Sequence, residues 1–244
     1  MKQITILEAK QRLLAACPGL YANLTIDLRE EPNSRAYEYH GAVILKTMIH
    51  YSSSEIKPIW YICDAGSSNL AAAQDALRRK KRKATYYISP RAGENCLVFS
   101  RLGEAYDDPA IRPLTPEDEA TICSILHVAE DDSEEARIIA GIIRSELATY
   151  IVDPTRHFLG LFEETALRGV LVYNNRGNGE VTVINDVFVP REQRGRGFAV
   201  RLVRAATAVH PGARYVYSCG SQNFASIATA KKAGYMLAGT VDFS

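Results

Sequence analysis

The chain contains five cysteines, Cys17, Cys63, Cys96, Cys123 and Cys219, and no two of them form a CxxC pair. Their wide, uneven spacing excludes both a zinc knuckle and a disulfide framework and leaves five reduced thiols. The histidines, His40, His50, His127, His157 and His210, are equally scattered, and none stands at ligand spacing from another. No apolar run reaches the roughly 18 residues of a membrane-spanning helix. The opening MKQITILEAKQRLLAA interrupts its apolar stretch with charge, so no signal peptide is expected, and the expected location is the cytoplasm. Neither sign of charge dominates. Lys+Arg number 29 and Asp+Glu 28, for a net charge of +1. Nothing global therefore draws the chain to nucleic acid or to an anionic membrane.

What remains is an ordinary folding composition. The chain has 244 residues, 47% hydrophobic and 23% charged. That length can bury a full core and allows one large domain or two small ones. The first half reads as a short amphipathic helix ended by Pro18-Gly19, then strands at Leu24–Leu28, Ala42–Ile49 and Pro58–Cys63. Ser67 or Ser68 is expected to cap a helix through NLAAAQDALRRKKRK, and ATYYIS follows as a strand. Strand, helix and strand over about 30 residues make a βαβ unit with a parallel pair. NCLVFSRL is a further strand.

The acidic, proline-bearing stretch Glu104–Ala110 breaks the pattern, and a domain boundary is placed there: 1–105 and 110–244. Beyond it, IRPL is a short strand, and Thr115-Pro116-Glu117-Asp118 is a helix start with acids in its first turn. Two helices are expected, the second over Glu134–Ile151. Three strands follow, the last two joined by a hairpin at residues 174–179. A helix over Gly197–Val209, strand ARYVYSC, a helix over Ser221–Ala233 and a closing strand MLAGTVDF complete the chain.

The stretch richest in chemistry is VINDVFVPREQRGRGFAVRLVRAA, residues 183–206. A strand runs into a loop with two glycines, and an amphipathic helix begins at once. Glycines let backbone N–H groups come close to a ligand. A helix N-terminus adds unpaired donors and a positive dipole end. Arg191, Arg194 and Arg196 add formal charge, so the stretch suits a pyrophosphate. Neither the GxxxxGK[ST] spacing of a P-loop nor the GxGxxG of a dinucleotide fold is met.

The strand end Val187-Phe188-Val189-Pro190 is followed by Arg194, Gly197 and Ala199 at R-x-x-G-x-A spacing. About 25 residues on come Asn223, Ser226, Lys232, Gly234 and Tyr235. On these two motifs, and on the opening IRPLTPEDEATI, residues 110–244 resemble the GNAT superfamily of N-acetyltransferases. The resemblance implies an α/β fold: a twisted mixed sheet flanked by helices, preceded here by a smaller α/β domain. That first domain could be a degenerate GNAT-like half that walls the acceptor side. The resemblance also implies acetyl-CoA as co-substrate, with no metal. Its pyrophosphate would sit on the amides of Arg194, Gly195, Arg196, Gly197, Phe198 and Ala199. The pantetheine arm would run along Val187, Phe188 and Val189, flanked by Asn223 and Ser226.

The implied reaction is direct attack of an amine on the thioester. The amine must first lose a proton, and Asp186 is the leading candidate base, with Glu163 and Glu180 behind it. Strand alternation turns Asp186 away from Val187 and Asn185 unless a bulge intervenes. Two features depart from the family's pattern. Ala230 stands where many members carry a tyrosine acid, and Ser218 stands near the place of a fifth-strand Glu. Tyr235 is read as a packing aromatic, and Cys219 as a packing thiol. The alternative is therefore an acyl-CoA-binding or regulatory module with weakened catalysis. The expected partner is a small-molecule or peptide amine, not a membrane or a nucleic acid; a homodimer is left open. Arg78–Lys83, RRKKRK, reads as a solvated helix end.

Overall fold

A computed structural model describes residues 1–22, 24, 33–50, 56–65, 69–82, 86–89, 95–130, 134–177 and 179–243. The chain divides into two units. The first holds Met1–Ser100, Ser218–Phe224 and Met236–Ser244; the second holds Arg101–Tyr217 and Ala225–Tyr235. Two segments that sequence reading grouped with 110–244 therefore belong to the first unit. The reason is hydrogen bonding: the closing strand β12 (Met236–Phe243) pairs antiparallel with β5 (Tyr86–Ser89) and with β6 (Cys96–Leu102).

In the first unit β1 (Lys2–Ile4), β2 (Arg35–Tyr39), β3 (Ala42–His50) and β4 (Ile56–Cys63) form successive antiparallel pairs. β4 then runs parallel to β5, and helix α2 (Leu70–Arg79) connects them. That is the expected βαβ unit. Its cap is Asn69, whose Oδ1 accepts the Ala72 N–H at 3.0 Å. Ser67 and Ser68 lie outside the described residues. α1 spans Ile6–Ala16 and is capped by Thr5. Of the strand expected at Leu24–Leu28, Leu24 is helical and 25–28 lie outside the described residues. β2 has no counterpart in the sequence reading. The basic residues Arg78–Arg82 are all exposed at and beyond the end of α2, with Arg78 paired to Asp75 at 3.6 Å.

The second unit is built on β7 (Ile111–Pro113), β8 (Arg156–Glu163), β9 (Ala166–Arg176) and β10 (Val181–Phe188), neighbours paired antiparallel. β11 (Arg214–Gly220) lies parallel to β10. A capping box joins Thr115 and Asp118 and opens α3 (Glu119–Glu130). The second expected helix is two: α4 (Glu134–Ser145) and α5 (Leu147–Tyr150). α3 and α4 cover one face of the sheet, where Leu126 and Ile143 pack with Val170, Val172 and Phe188. α6 (Phe198–Ala206) packs against β8, β9 and β10. Its buried side chains recur at Phe198, Leu202, Val203 and Ala206, the spacing of one helix face. Burying a Leu or Val completely contributes about 1.5–3 kcal/mol. Gly169 on β9 permits this approach: a Cβ there would stand 3.1 Å from the Leu202 side chain and 3.2 Å from the Phe188 carbonyl.

The stretch read as a domain boundary is tied to α6. Asp108 accepts two hydrogen bonds from Arg201, from Nε and Nη2, each at 2.8 Å. Tyr106 donates to the same carboxylate at 3.1 Å, and the Arg204 guanidinium lies 4.5 Å from the Tyr106 ring centre. The Arg201 guanidinium holds the Asp108 carboxyl below the usual carboxylate range.

Candidate active site

β10 carries an irregularity that places its acid. Ile184 pairs with Tyr173, but the next pair is Asp186 with Val172. Asn185 is thus one extra residue, a bulge. Opposed residues on paired strands share a sheet face, so Asp186 lies on the face of Val172 and Phe188, the α3–α4 face. Val187, opposite Leu171, lies on the other face. Simple alternation would have left Asp186 on the same face as Ile184. The parallel ladder to β11 covers only Val181–Ile184. Asn185–Phe188 therefore extend past that ladder.

The loop after β10 begins with a turn of 3₁₀ helix at Arg191–Gln193. Gly195 and Gly197 both have φ of +80°, a left-handed conformation that suits glycine, and a Cβ on either would meet nothing within 4 Å. Gly197 is the N-cap of α6 and supplies no side-chain acceptor. The first intrahelical bond runs from the Arg201 N–H to the Gly197 carbonyl. The N–H groups of Phe198, Ala199 and Val200 thus belong to the open first turn. These residues fit a diphosphate: small, left-handed glycines and a helix end whose cap carries no side chain to occupy its N–H groups.

Two of the loop arginines have internal partners. Arg194 donates from Nε to the Val189 carbonyl at 3.0 Å, pinning the loop to the strand end. Arg196 donates to Gln193 Oε1 at 2.7 Å and to Glu163 Oε1, and its guanidinium lies 4.6 Å from the Phe198 ring centre. Glu163 also pairs with Arg168 through Oε2 at 3.4 Å. The sequence held no signal for the pairing of Glu163, at the end of β8, with Arg196 in the loop, because the two are 33 residues apart.

The remaining sequence candidates separate. Glu163 is engaged by two arginines. Glu180 is exposed and precedes β10, about 20 Å along the strand from Asp186 at the usual rise per residue. Ser226 lies in α7 (Phe224–Lys232) in the second unit, with the glycine loop and Asp186, whereas Asn223 lies in the first unit. Ala230 is fully buried. Tyr235 is buried too, 6.0 Å from Tyr217 centre to centre, and its hydroxyl has no hydrogen-bond partner among the described residues. Burial pushes its pKa far up, which suits a packing residue. Burial also raises the Cys219 thiol to about 11, which leaves little thiolate at neutral pH. No group of three His, Cys, Asp or Glu side chains among the described residues could hold a metal ion. No helix among them is long and apolar enough to cross a membrane.

A polar cluster that sequence reasoning missed lies at the other end of β10. Thr182 donates to Asn175 Oδ1 at 2.8 Å, which orients the amide. Asn175 Nδ2 then stands 3.0 Å from Nε2 of both His157 and His210. Each ring must offer a lone pair there, so each carries its proton on Nδ1. His157 stacks on Tyr173 at 4.9 Å. Burial, then the neighbouring His210, lowers the His157 pKa, with Asp153 opposing. The folded chain therefore binds this proton less readily than the unfolded chain. Stability is full above the ordinary histidine value of about 6.5 and falls as pH drops below it. The urea midpoint should be lower at pH 5.5 than at pH 7.5, and His157→Gln should narrow the gap. An unchanged gap would place the sensitivity elsewhere.

Comparison with known proteins gives this arrangement its family. The model of the acetyltransferase (GNAT) family matches residues 117–235. A GNAT-family acetyltransferase from Colwellia psychrerythraea is similar in structure over 99% of this chain and 98% of its own, at 11% identity and a TM-score of 0.54. A GCN5-related N-acetyltransferase from Kribbella flavida is similar over 93% of each chain, at 10% identity and a TM-score of 0.50. A functionally unknown conserved protein from Staphylococcus epidermidis covers 84% of this chain and 90% of its own, at 10% identity and a TM-score of 0.51. At such identities the likeness concerns the fold. No curated protein matches the chain. With the bulged strand, the glycine loop and the glycine-capped helix all inside the matched segment, residues 117–235 belong to the acetyltransferase (GNAT) family.

Proposed function

We propose that this protein is an acetyl-CoA-dependent N-acetyltransferase, with residues 110–244 carrying the activity and 1–105 a helper domain. The observation that carries the reading is the open, left-handed glycine loop at the N-terminus of α6, directly after a bulged strand end. In this reading the amides of Gly195–Ala199 hold the pyrophosphate, supported by the helix dipole. The stretch Val187–Val189, past the end of the ladder to β11, receives the pantetheine arm as an added strand would. Ser226, in the same unit, is its further contact.

Acetyl-CoA would supply an activated acyl thioester. The chain's own task is to orient the amine, accept its proton and stabilise the oxyanion by a β10 N–H. Asp186 takes the proton, directly or through water. The new N–C bond forms as the C–S bond breaks, and the thiolate takes its proton from water or from the ammonium. Thiolate is a tolerable leaving group because an ordinary thiol pKa lies near 8.5.

A panel of amines incubated with protein and acetyl-CoA tests the proposal through release of free thiol. Turnover with at least one small-molecule or peptide amine is the expected result. Coenzyme A binding with no turnover on any amine would instead favour the second reading, an acyl-CoA-binding module. The observation behind that reading is the buried Ala230 where a tyrosine acid would stand. Failure to bind coenzyme A at all would defeat both.

A further inference from the structure

We propose that Glu163 is a built-in competitor for the glycine loop's arginine, and that a phosphate-bearing ligand must displace it from Arg196. The inference rests on the coenzyme A reading above. Arg196 lies between the two left-handed glycines, Gly195 and Gly197, where its backbone and side chain border the open loop. Its guanidinium has internal partners in Gln193 and Glu163 and lies over the Phe198 ring. The fork that would grip a phosphate is thus partly used by a carboxylate of the protein itself.

The exchange is easy for two reasons. The Glu163 and Arg196 side chains are 32% and 48% exposed, and a pair so accessible to water is worth a factor of about 5 at most in an equilibrium constant. Glu163 also keeps a second cation when Arg196 leaves. Arg168 Nε lies 3.4 Å from its other oxygen and makes no hydrogen bond among the described residues. The released carboxylate can turn fully to Arg168, so no charge is stranded. Glu163 therefore modulates affinity and its salt dependence rather than blocking the site.

Calorimetric titration of wild type and Glu163→Gln with coenzyme A, at 50 mM and 500 mM salt, tests this. The amide keeps the shape and removes the charge. Glu163→Gln should bind about 2- to 5-fold more tightly at low salt, and the advantage should shrink at high salt, where exposed charges are screened. Pantetheine, which carries no phosphate, should not distinguish the two proteins. Equal affinity for coenzyme A at both salts would overturn the competitor role. Weaker binding by the variant would also overturn it and make Glu163 a positioning residue for Arg196. If wild type fails to bind coenzyme A, the cofactor reading falls and the competitor falls with it.

Discussion

Gly197→Asp should abolish coenzyme A binding while the protein stays folded. The residue has φ of +80° and its surroundings are open, with no atom within 4 Å of where a Cβ would stand. The substitution meets no clash in the free protein. A side chain in left-handed backbone costs roughly 1–2 kcal/mol, and Asp is among the residues that tolerate it best. A typical stability of about 5–15 kcal/mol absorbs that. Binding is another matter. A carboxylate about 4 Å from a phosphate near a protein surface is opposed by roughly 4 kcal/mol. That is close to three decades of affinity, so a loss of at least about 100-fold is expected. Gly197→Ala separates the causes, because it brings the backbone strain without the charge and should weaken binding far less. Circular dichroism and calorimetry together decide it. Wild-type affinity in a folded Gly197→Asp protein would sink the assignment of this loop.

Asp186→Asn should slow acetyl transfer by about 100- to 10,000-fold, the usual cost of one general acid–base group. Coenzyme A affinity should hardly move, because the proposed phosphate contacts lie in the loop and helix beyond the strand. The acidic limb of the pH–rate profile should flatten with it. The geometry favours this residue over its rivals. The bulge at Asn185 puts Asp186 on the α3–α4 face just where the ladder to β11 has ended. Glu163 is paired with Arg168, and Glu180 stands before the opposite end of the strand. Near-full activity with an intact pH profile in Asp186→Asn would move the base elsewhere.

The glycine loop, its helix and the family resemblance were legible in the residues. Each is local: a left-handed turn needs a glycine at that position, and an amphipathic helix writes its face every three or four residues. The βαβ unit of β4, α2 and β5 was legible for the same reason, as runs of β-formers flanking a run of helix formers. Helix ends were less so. Asn69, not a serine, caps α2, and Glu146 interrupts the stretch read as one helix. Neighbouring residues compete there at nearly equal cost, and packing decides.

Partnership across the chain was decided by the tertiary structure alone. A strand pattern says which side chains share a face but not which strand lies alongside. β12 reads as the last strand of 110–244, yet its hydrogen bonds go to β5 and β6. The extra residue at Asn185 shows only in the pairing with β9, and it reverses the face that Asp186 occupies. Asp108 meets Arg201 across 93 residues, and Glu163 meets Arg196 across 33. Such contacts arise only when the sheet and α6 bring distant segments together, and no spacing in the sequence encodes them. The residue types of the candidate site were thus set locally, while the direction and the company of its charged groups were set by the fold.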